Sequence, residues 1–259
     1  MMSPISFEIK EQVAIVRFNR PEKFNSFNRE MALQFQEVLD HCAEEQAVRA
    51  VYITGNGKAF CAGQDLGELV GENPPGFEVI LAEHYNPIIQ RIRTLEKPVV
   101  CAVNGVAAGA GANVALCCDV VIAAQSASFI QAFSKIGLIP DSGGTFILPR
   151  LIGFQKASAL MMLGDKVTAT EAERIGMIYK VFPDESFAEE SLKIAITLSN
   201  MPTKALAFTK QALNLSLDNT LQEQLNTEDK LQYAAANTSD YNEGVAAFIE
   251  KRAPLFKGG

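Results

Sequence analysis

Residues 97–118 read KPVVCAVNGVAAGAGANVALCC, and the fold turns on whether this stretch crosses a membrane or folds in on itself. From Pro98 to Cys118 it carries no Asp, Glu, Lys or Arg, for about the length a bilayer core requires. Two asparagines, Asn104 and Asn113, interrupt it, and the rest is mostly Ala, Gly and Val, residues that drive a segment only weakly into lipid. A buried strand over KPVVCAVNG followed by a small-residue helix over VAAGAGANVALCC is the better reading.

The same order of elements is legible on both sides. Upstream, ISFEIKEQVAIVRFNRP alternates apolar and polar residues about a Glu11-Gln12 turn, which predicts a hairpin. SFNREMALQFQEVLDHCAEE has helical spacing at Met31, Phe35, Val38, Leu39 and Cys42, with Ser26 or Asn28 available as its cap. AVRAVYITGNG predicts a buried strand, and KAFCAGQDLGELV a short strand, a glycine turn and a helix start. Downstream, DVVIAAQSASFIQ is paired strand material and GGTFILPRLIG another helix. Strand, strand, helix at intervals of roughly 45 residues predicts an α/β spiral of ββα repeats rather than a doubly wound sheet. From about Pro202 the chain reads as helical, interrupted at Gly244, with an apolar stripe of Tyr241, Val245, Phe248 and Ile249. Residues 1–200 are therefore expected to form the core that carries the site, and residues 201–259 a helical C-terminal region.

Bulk properties remove several function classes. The 259 residues are 48% hydrophobic and 20% charged, ordinary for a globular chain. A net charge of −7 argues against a nucleic-acid surface. The five cysteines are odd in number and form no CxxC pair, which predicts reduced, buried thiols and a cytoplasmic setting. MMSPISFEIKEQ has neither a basic n-region nor an apolar h-region, so no secretory signal is expected there. With only His41 and His84, and no GxSxG, Walker A or GxGxxG sequence, the hydrolase, metal-dependent and nucleotide-dependent readings weaken. No metal and no cofactor is expected.

Two glycine turns follow strands, FCAGQDL and NGVAAGAGAN. Small residues there let the backbone approach a ligand, and two free amides aimed at one carbonyl oxygen make an oxyanion hole. The same glycines could equally serve tight helix–strand packing. In IGLIPDSGGT, residues 136–145, a single carboxylate, Asp141, sits between a proline and two glycines. On the residues alone it is either the cap of the next helix or a base facing a buried ligand. Asp65 precedes LGELV with Glu68 three residues on, the form of a capping box.

FNRPEKFNSFN, FCAGQDL, NGVAAGAGA, IGLIPDSGGTFILPRLIG and TATEAERIGMI together resemble the successive signatures of the crotonase (enoyl-CoA hydratase/isomerase) superfamily, in the right order and over about residues 10–257. The resemblance implies the ββα spiral, acyl-CoA thioester substrates, and a homotrimer or dimer of trimers built through the C-terminal region. Carried over by position, it implies an oxyanion hole from the backbone amides of Gln64 and Ala110, where the family usually has Gly at the second place. Backbone at Ala62, Asp65 and Leu66 would hold the adenine end of coenzyme A. Lys23 or Arg20 would approach its phosphates, and Lys257 would do so from a neighbouring subunit. Read from its own residues, segment 67–87, with Pro74, Pro75 and Gly76 at its middle, is either a mobile pocket wall or a plain surface loop; as a wall it would turn Tyr85 toward the acyl group.

The departure from the hydratases is informative. Their two water-activating glutamates fall on Asn113 and Phe133. Asn113 cannot transfer a proton at useful pH and Phe133 cannot at all. Asp141 alone retains that capacity, in a pocket expected to be lined by Phe133, Ile136 and Ala110. One base with one enolate-stabilising hole is the equipment for 1,3-proton transfer, an isomerase reaction. AFSKIGLIPD and the C-terminal DYNEGVAAF are most similar to the branch that isomerises ring epoxides of phenylacetyl-CoA. Isomerisation of 3-enoyl to 2-enoyl thioesters would use the same parts. A non-catalytic acyl-CoA-binding member of the fold is the reading from another class.

Overall fold

The computed structural model describes residues 3–70 and 74–259. The chain opens with the hairpin β1 (Ile5–Lys10) and β2 (Val13–Phe18), joined through Glu11 and Gln12, which take φ of 50° and 63°. Helix α1 (Arg29–Glu44) follows, capped by Asn28, whose side chain accepts from the Met31 amide. Met31, Phe35, Leu39 and Cys42 are buried along its inner face. Strands β3 (Ala50–Gly55) and β4 (Ala59–Cys61) come next. A continuous helical rod is then built from α2 (Phe77–Val79), a π-helical segment Ile80–Tyr85 and α3 (Asn86–Thr94). The opening stretch resolves into β5 (Val99–Val103), β6 (Val106–Ala108) and α4 (Ala110–Leu116). After them run β7 (Val120–Ala124), β8 (Ser128–Ile130), α5 (Gly144–Ile152), α6 (Phe154–Leu163), β9 (Lys166–Thr168), α7 (Ala169–Arg174) and β10 (Lys180–Phe182). Helices α8 (Phe187–Ser199), α9 (Thr203–Leu215), α10 (Leu221–Ala236) and α11 (Ser239–Glu250) complete the chain.

Two sheets result, one of six strands in the order β1-β2-β3-β5-β7-β10 and one of four in the order β4-β6-β8-β9. Each repeat places its first strand in the larger sheet and its second in the smaller, and β3-β5-β7 and β4-β6-β8 pair in parallel. This is the expected spiral of ββα turns. β5 is buried at every position, as a central parallel strand must be. Among the described residues no helix is long and apolar enough to cross a membrane.

Four expectations need correction. The repeats are not evenly spaced: their first strands begin at Ala50, Val99 and Val120, because the helical rod lengthens the first turn. VAAGAGANVALCC is not all helix, since Val106–Ala108 joins the small sheet and Gly109, at φ 54°, turns the chain before α4 begins. β7 and β8 pair with different sheets rather than with each other. Gly244 does not interrupt α11. A Cβ there would stand 3.4 Å from the Phe256 ring, so the glycine makes room for the returning tail.

The C-terminal helices are docked by polar contacts. Buried Lys210 of α9 donates to Asp119 Oδ2 at 2.8 Å and to the Ile92 carbonyl at 2.6 Å. Arg49, just before β3, donates to the carbonyls of Met201 and Phe256 and to Thr203 Oγ1. All five cysteines are buried and free.

Candidate active site

Both glycine turns sit where a strand of the small sheet ends. After β4, Gly63 takes φ 90°, and the chain is stitched to Phe27 on both sides of Gln64: the Phe27 amide donates to the Gly63 carbonyl, and the Asp65 amide to the Phe27 carbonyl. After β6, Gly109 donates to the Ile130 carbonyl and hands over to Ala110, the first residue of α4. The two turns meet. A Cβ on Gly63 would lie 3.4 Å from the Ala110 amide nitrogen and 2.9 Å from the Ala108 carbonyl oxygen. Among the hydrogen bonds of the described residues, neither the Gln64 nor the Ala110 amide has an acceptor. Two unused donors on adjoining turns suit one developing oxyanion.

The Gln64 side chain is held away from that work. Its Oε1 accepts from the Tyr85 hydroxyl at 2.9 Å and its Nε2 donates to Glu68 Oε2 at 3.0 Å. Tyr85 is fully buried at the end of the π-helical segment, its ring edge-on to Phe27 at 5.8 Å. A π-helical turn in this place is a frequent companion of functional sites. Tyr85 thus supports the Gln64 turn; its polar atom is engaged there rather than free for an acyl group. Burial pushes its phenol well above the ordinary value, with smaller contributions from the charges of Cys61, Asp141 and Glu68. Part of the expected pocket wall, residues 71–73, lies outside the described residues.

Asp141 belongs to the turn that leads into α5. The helix is capped by Gly143 without a side-chain bond, so Asp141 is not its cap. The carboxylate is half-buried; its Oδ1 accepts from Ser142 Oγ at 2.8 Å. Burial raises its pKa, against lowering by the Ser142 hydroxyl and its own amide. Ser142 holds that bond from a left-handed backbone, φ 51°. The Asp141 carbonyl accepts from the Gly144 amide at 2.9 Å and from Asn113 Nδ2 at 2.8 Å.

Asn113 lies one turn into α4 from Ala110, so this last bond ties the carboxylate loop to the oxyanion turn. Its Oδ1 accepts from Gln131 Nε2 at 2.8 Å. Asn113 is therefore placed beneath the site, with both amide atoms engaged by protein, and the expectation that it touches substrate is corrected. Phe133 is buried, and its ring edge is 3.8 Å from where a Cβ of Gly109 would stand, beside the Ala110 turn. Ile136, by contrast, is 55% exposed.

On the outer rim the Ala62 amide donates to the Phe24 carbonyl at 3.0 Å, which sets Lys23, Ala62, Asp65 and Leu66 along one edge. Lys23, Ala62 and Leu66 are exposed there. Arg20 is committed elsewhere, donating to Asp65 Oδ2 at 2.8 Å and to the Ser26 carbonyl, and is not free for a phosphate. Asp65 caps the following 3-10 turn through the Gly67 amide. The capping box does not form, because Glu68 accepts from the Arg29 amide instead. Burial pushes the Asp65 carboxyl up, but the bonds from Arg20 and Gly67 and nearby positive charge outweigh it, and the net pKa is lowered. Lys257 is tied elsewhere within this chain: its amide donates to Asp240, and its neighbour Phe256 is fixed to Arg49.

Gln131, Ser142 and the Gln64–Tyr85 bond are site features that the sequence reading missed. Ser142 had a signal in DSGG, a hydroxyl beside the carboxylate. Gln131 had none, since its partner is 18 residues away.

Residues 8–259 match the family model described as enoyl-CoA hydratase/isomerase. The chain is 45% identical over the full length of both proteins to the 1,2-epoxyphenylacetyl-CoA isomerase of Escherichia coli K12. It is also 45% identical, over 98% of each chain, to a Rhodobacter capsulatus protein named "Probable enoyl-CoA hydratase". The crystal structure of an enoyl-CoA hydratase from Bacillus anthracis superposes with a TM-score of 0.92 at 34% identity, covering 99% of this chain and all of that one.

Proposed function

The chain belongs to the enoyl-CoA hydratase/isomerase family, and we propose that within it the protein is a CoA-thioester isomerase that converts ring-1,2-epoxyphenylacetyl-CoA to the seven-membered oxepin-CoA. One observation carries the reading. By the family resemblance Asn113 and Phe133 stand where hydratases have their glutamates, while Asp141 keeps a half-buried carboxylate on a loop whose backbone carbonyl is held by Asn113, one turn along α4 from the Ala110 amide.

The thioester carbonyl oxygen accepts from the Gln64 and Ala110 amides, which withdraw charge from the neighbouring carbon. Asp141 takes a proton from that carbon, and the electron pair moves onto the thioester oxygen as an enolate. Collapse of the enolate, with cleavage of the ring bond between the two epoxide carbons, returns the proton to the ring. Atoms are conserved, and the only coenzyme involved is the coenzyme A of the substrate. A raised carboxylate pKa suits a group that must both take and give the proton. The same steps move a 3,4 double bond to the 2,3 position in a linear 3-enoyl thioester.

Lys23, Ala62, Asp65 and Leu66 are proposed to form the coenzyme A rim. The C-terminal region, residues 201–259, is proposed to assemble a homotrimer or dimer of trimers. What supports this is its apolar stripe, on which Phe248 is 85% and Ile249 72% exposed; a neighbouring copy would then bring Lys257 to the rim. Five free cysteines suit the reducing cytoplasm. The test is the ratio of kcat/KM for ring-1,2-epoxyphenylacetyl-CoA to that for a linear 3-enoyl-CoA with purified protein. A ratio well above one supports the proposal; one well below makes the protein a fatty-acyl isomerase, and activity on neither leaves only thioester binding.

A further inference from the structure

The residue at the first hydratase position did not simply lose a function. Asn113 is 1% exposed in the middle of α4, and its amide lies against the backbone of Gly144, where a Cβ would overlap it. Its Nδ2 reaches the Asp141 carbonyl at 2.8 Å, and its Oδ1 is fixed by Gln131 Nε2 at 2.8 Å. The orientation is not free to reverse, because Asp141 offers only a carbonyl oxygen to that end of the amide.

Gln131 is 2% exposed, and among the described residues its buried Oε1 has no hydrogen-bond partner. A buried polar side chain is expected to have a partner, and the Gln131 amide finds one in Asn113 Oδ1. What Gln131 does accomplish is to orient Asn113. The Asp141 carbonyl then receives donors from two elements, the Gly144 amide on its own turn and Asn113 on α4. Without the second donor the Asp141 carbonyl would keep the Gly144 amide of its own turn, and the loop the weak thiol bond from Cys117 Sγ to the Ser142 carbonyl at 3.5 Å, around a serine in the left-handed region.

We propose that Gln131 and Asn113 form an amide strut that positions Asp141 for proton transfer, so that the side chain replacing a hydratase glutamate now supports the remaining carboxylate. The proposal rests on the reading of Asp141 as the base.

Gln131→Met keeps shape and burial while removing the donor. Its cost in stability is small, because it exchanges one unpaired buried acceptor, Gln131 Oε1, for another, Asn113 Oδ1. Asn113→Asp keeps an acceptor for Gln131 and removes the donor to Asp141. Isomerisation of the better of the two thioesters is followed from acid to alkaline pH for both variants, with thermal unfolding and Asp141→Asn as the control. Gln131→Met is expected to lower kcat by about 10- to 100-fold, the range that small misplacements produce, with KM changed less than about twofold. The acid limb of the kcat profile should move down, because a loosened turn lets water reach the carboxylate. Asn113→Asp should lose more. Wild-type kcat and limb in Gln131→Met, with Asp141→Asn inactive, would overturn the strut alone, as would a kcat loss fully matched by loss of folded protein. Full activity in Asp141→Asn would overturn the base assignment, and the strut with it.

Discussion

Ser142 is the sharpest place to perturb the site, because its backbone and its hydroxyl do separable things. It is buried at 2% exposure, holds φ 51°, and donates from Oγ to Asp141 Oδ1 at 2.8 Å. In Ser142→Gly the left-handed backbone loses its steric penalty, about 1–2 kcal/mol for a side-chain-bearing residue. That gain is offset by roughly 0.5–1 kcal/mol from the greater freedom of glycine in the unfolded chain. The lost hydrogen bond to an ionised group costs about 1.5 kcal/mol, the low end of its range because Asp141 is only half-buried. Stability should therefore fall by between nothing and about 1.5 kcal/mol. The hydroxyl stabilises the carboxylate form, so its removal raises the Asp141 pKa. At about 1.4 kcal/mol per unit, the acid limb of kcat should rise by roughly one pH unit. The assay is the pH profile of thioester isomerisation beside thermal unfolding. Ser142→Ala, which keeps the strained backbone, should show the same limb at lower stability. A limb that stays in place or moves down in both variants would mean that the Ser142 hydroxyl does not stabilise the Asp141 carboxylate.

Two further outcomes follow from the same geometry. Gly63→Ala places a Cβ 2.9 Å from the Ala108 carbonyl oxygen on a backbone at φ 90°, so the two turns must part. We expect kcat to fall about 10²- to 10³-fold, as for loss of an oxyanion donor, measured against a much smaller change in thioester affinity by calorimetry. Asp141 is raised in the folded state, so it favours folding below its ordinary range and loses that contribution as pH rises through the folded value. Asp141→Asn should accordingly unfold at higher temperature than wild type at pH 7, with the margin shrinking as the medium is acidified toward pH 4; a margin that grows on acidification contradicts the burial argument.

The elements whose burial follows a plain pattern, continuous or periodic, were the legible ones. β5 is buried at all positions and α1 hides Met31, Phe35, Leu39 and Cys42, and both stand out as patterns in the chain. What the pattern did not carry was backbone conformation set by neighbours. VAAGAGAN has the composition of a helix start, yet Val106–Ala108 is drawn into a strand because β4 and β8 offer it edges on both sides. Gly244 looked like a break, and Phe256 from the returning tail makes it a contact instead. Asp65 and Glu68 have the spacing of a capping box, but the Arg29 amide competes for the glutamate. In the site, the glycine turns and Asp141 could be located from local sequence. The supports could not, because Tyr85 on Gln64, Gln131 on Asn113 and Asn113 on Asp141 are each contacts across 18 to 28 residues. Only the folded chain brings them together.

In the proposed reaction one carboxylate and two backbone amides perform an isomerisation and leave water addition behind. Its most direct test compares wild type and Asp141→Asn on two reactions, isomerisation of the preferred thioester and hydration of a 2-enoyl-CoA, with folding of both proteins verified. Efficient isomerisation by wild type is expected, with a loss of about 10²- to 10⁴-fold in Asp141→Asn, the range for a general acid–base group, and negligible hydration by either. Hydration by wild type that rivals isomerisation, or isomerisation that survives Asp141→Asn, would contradict it.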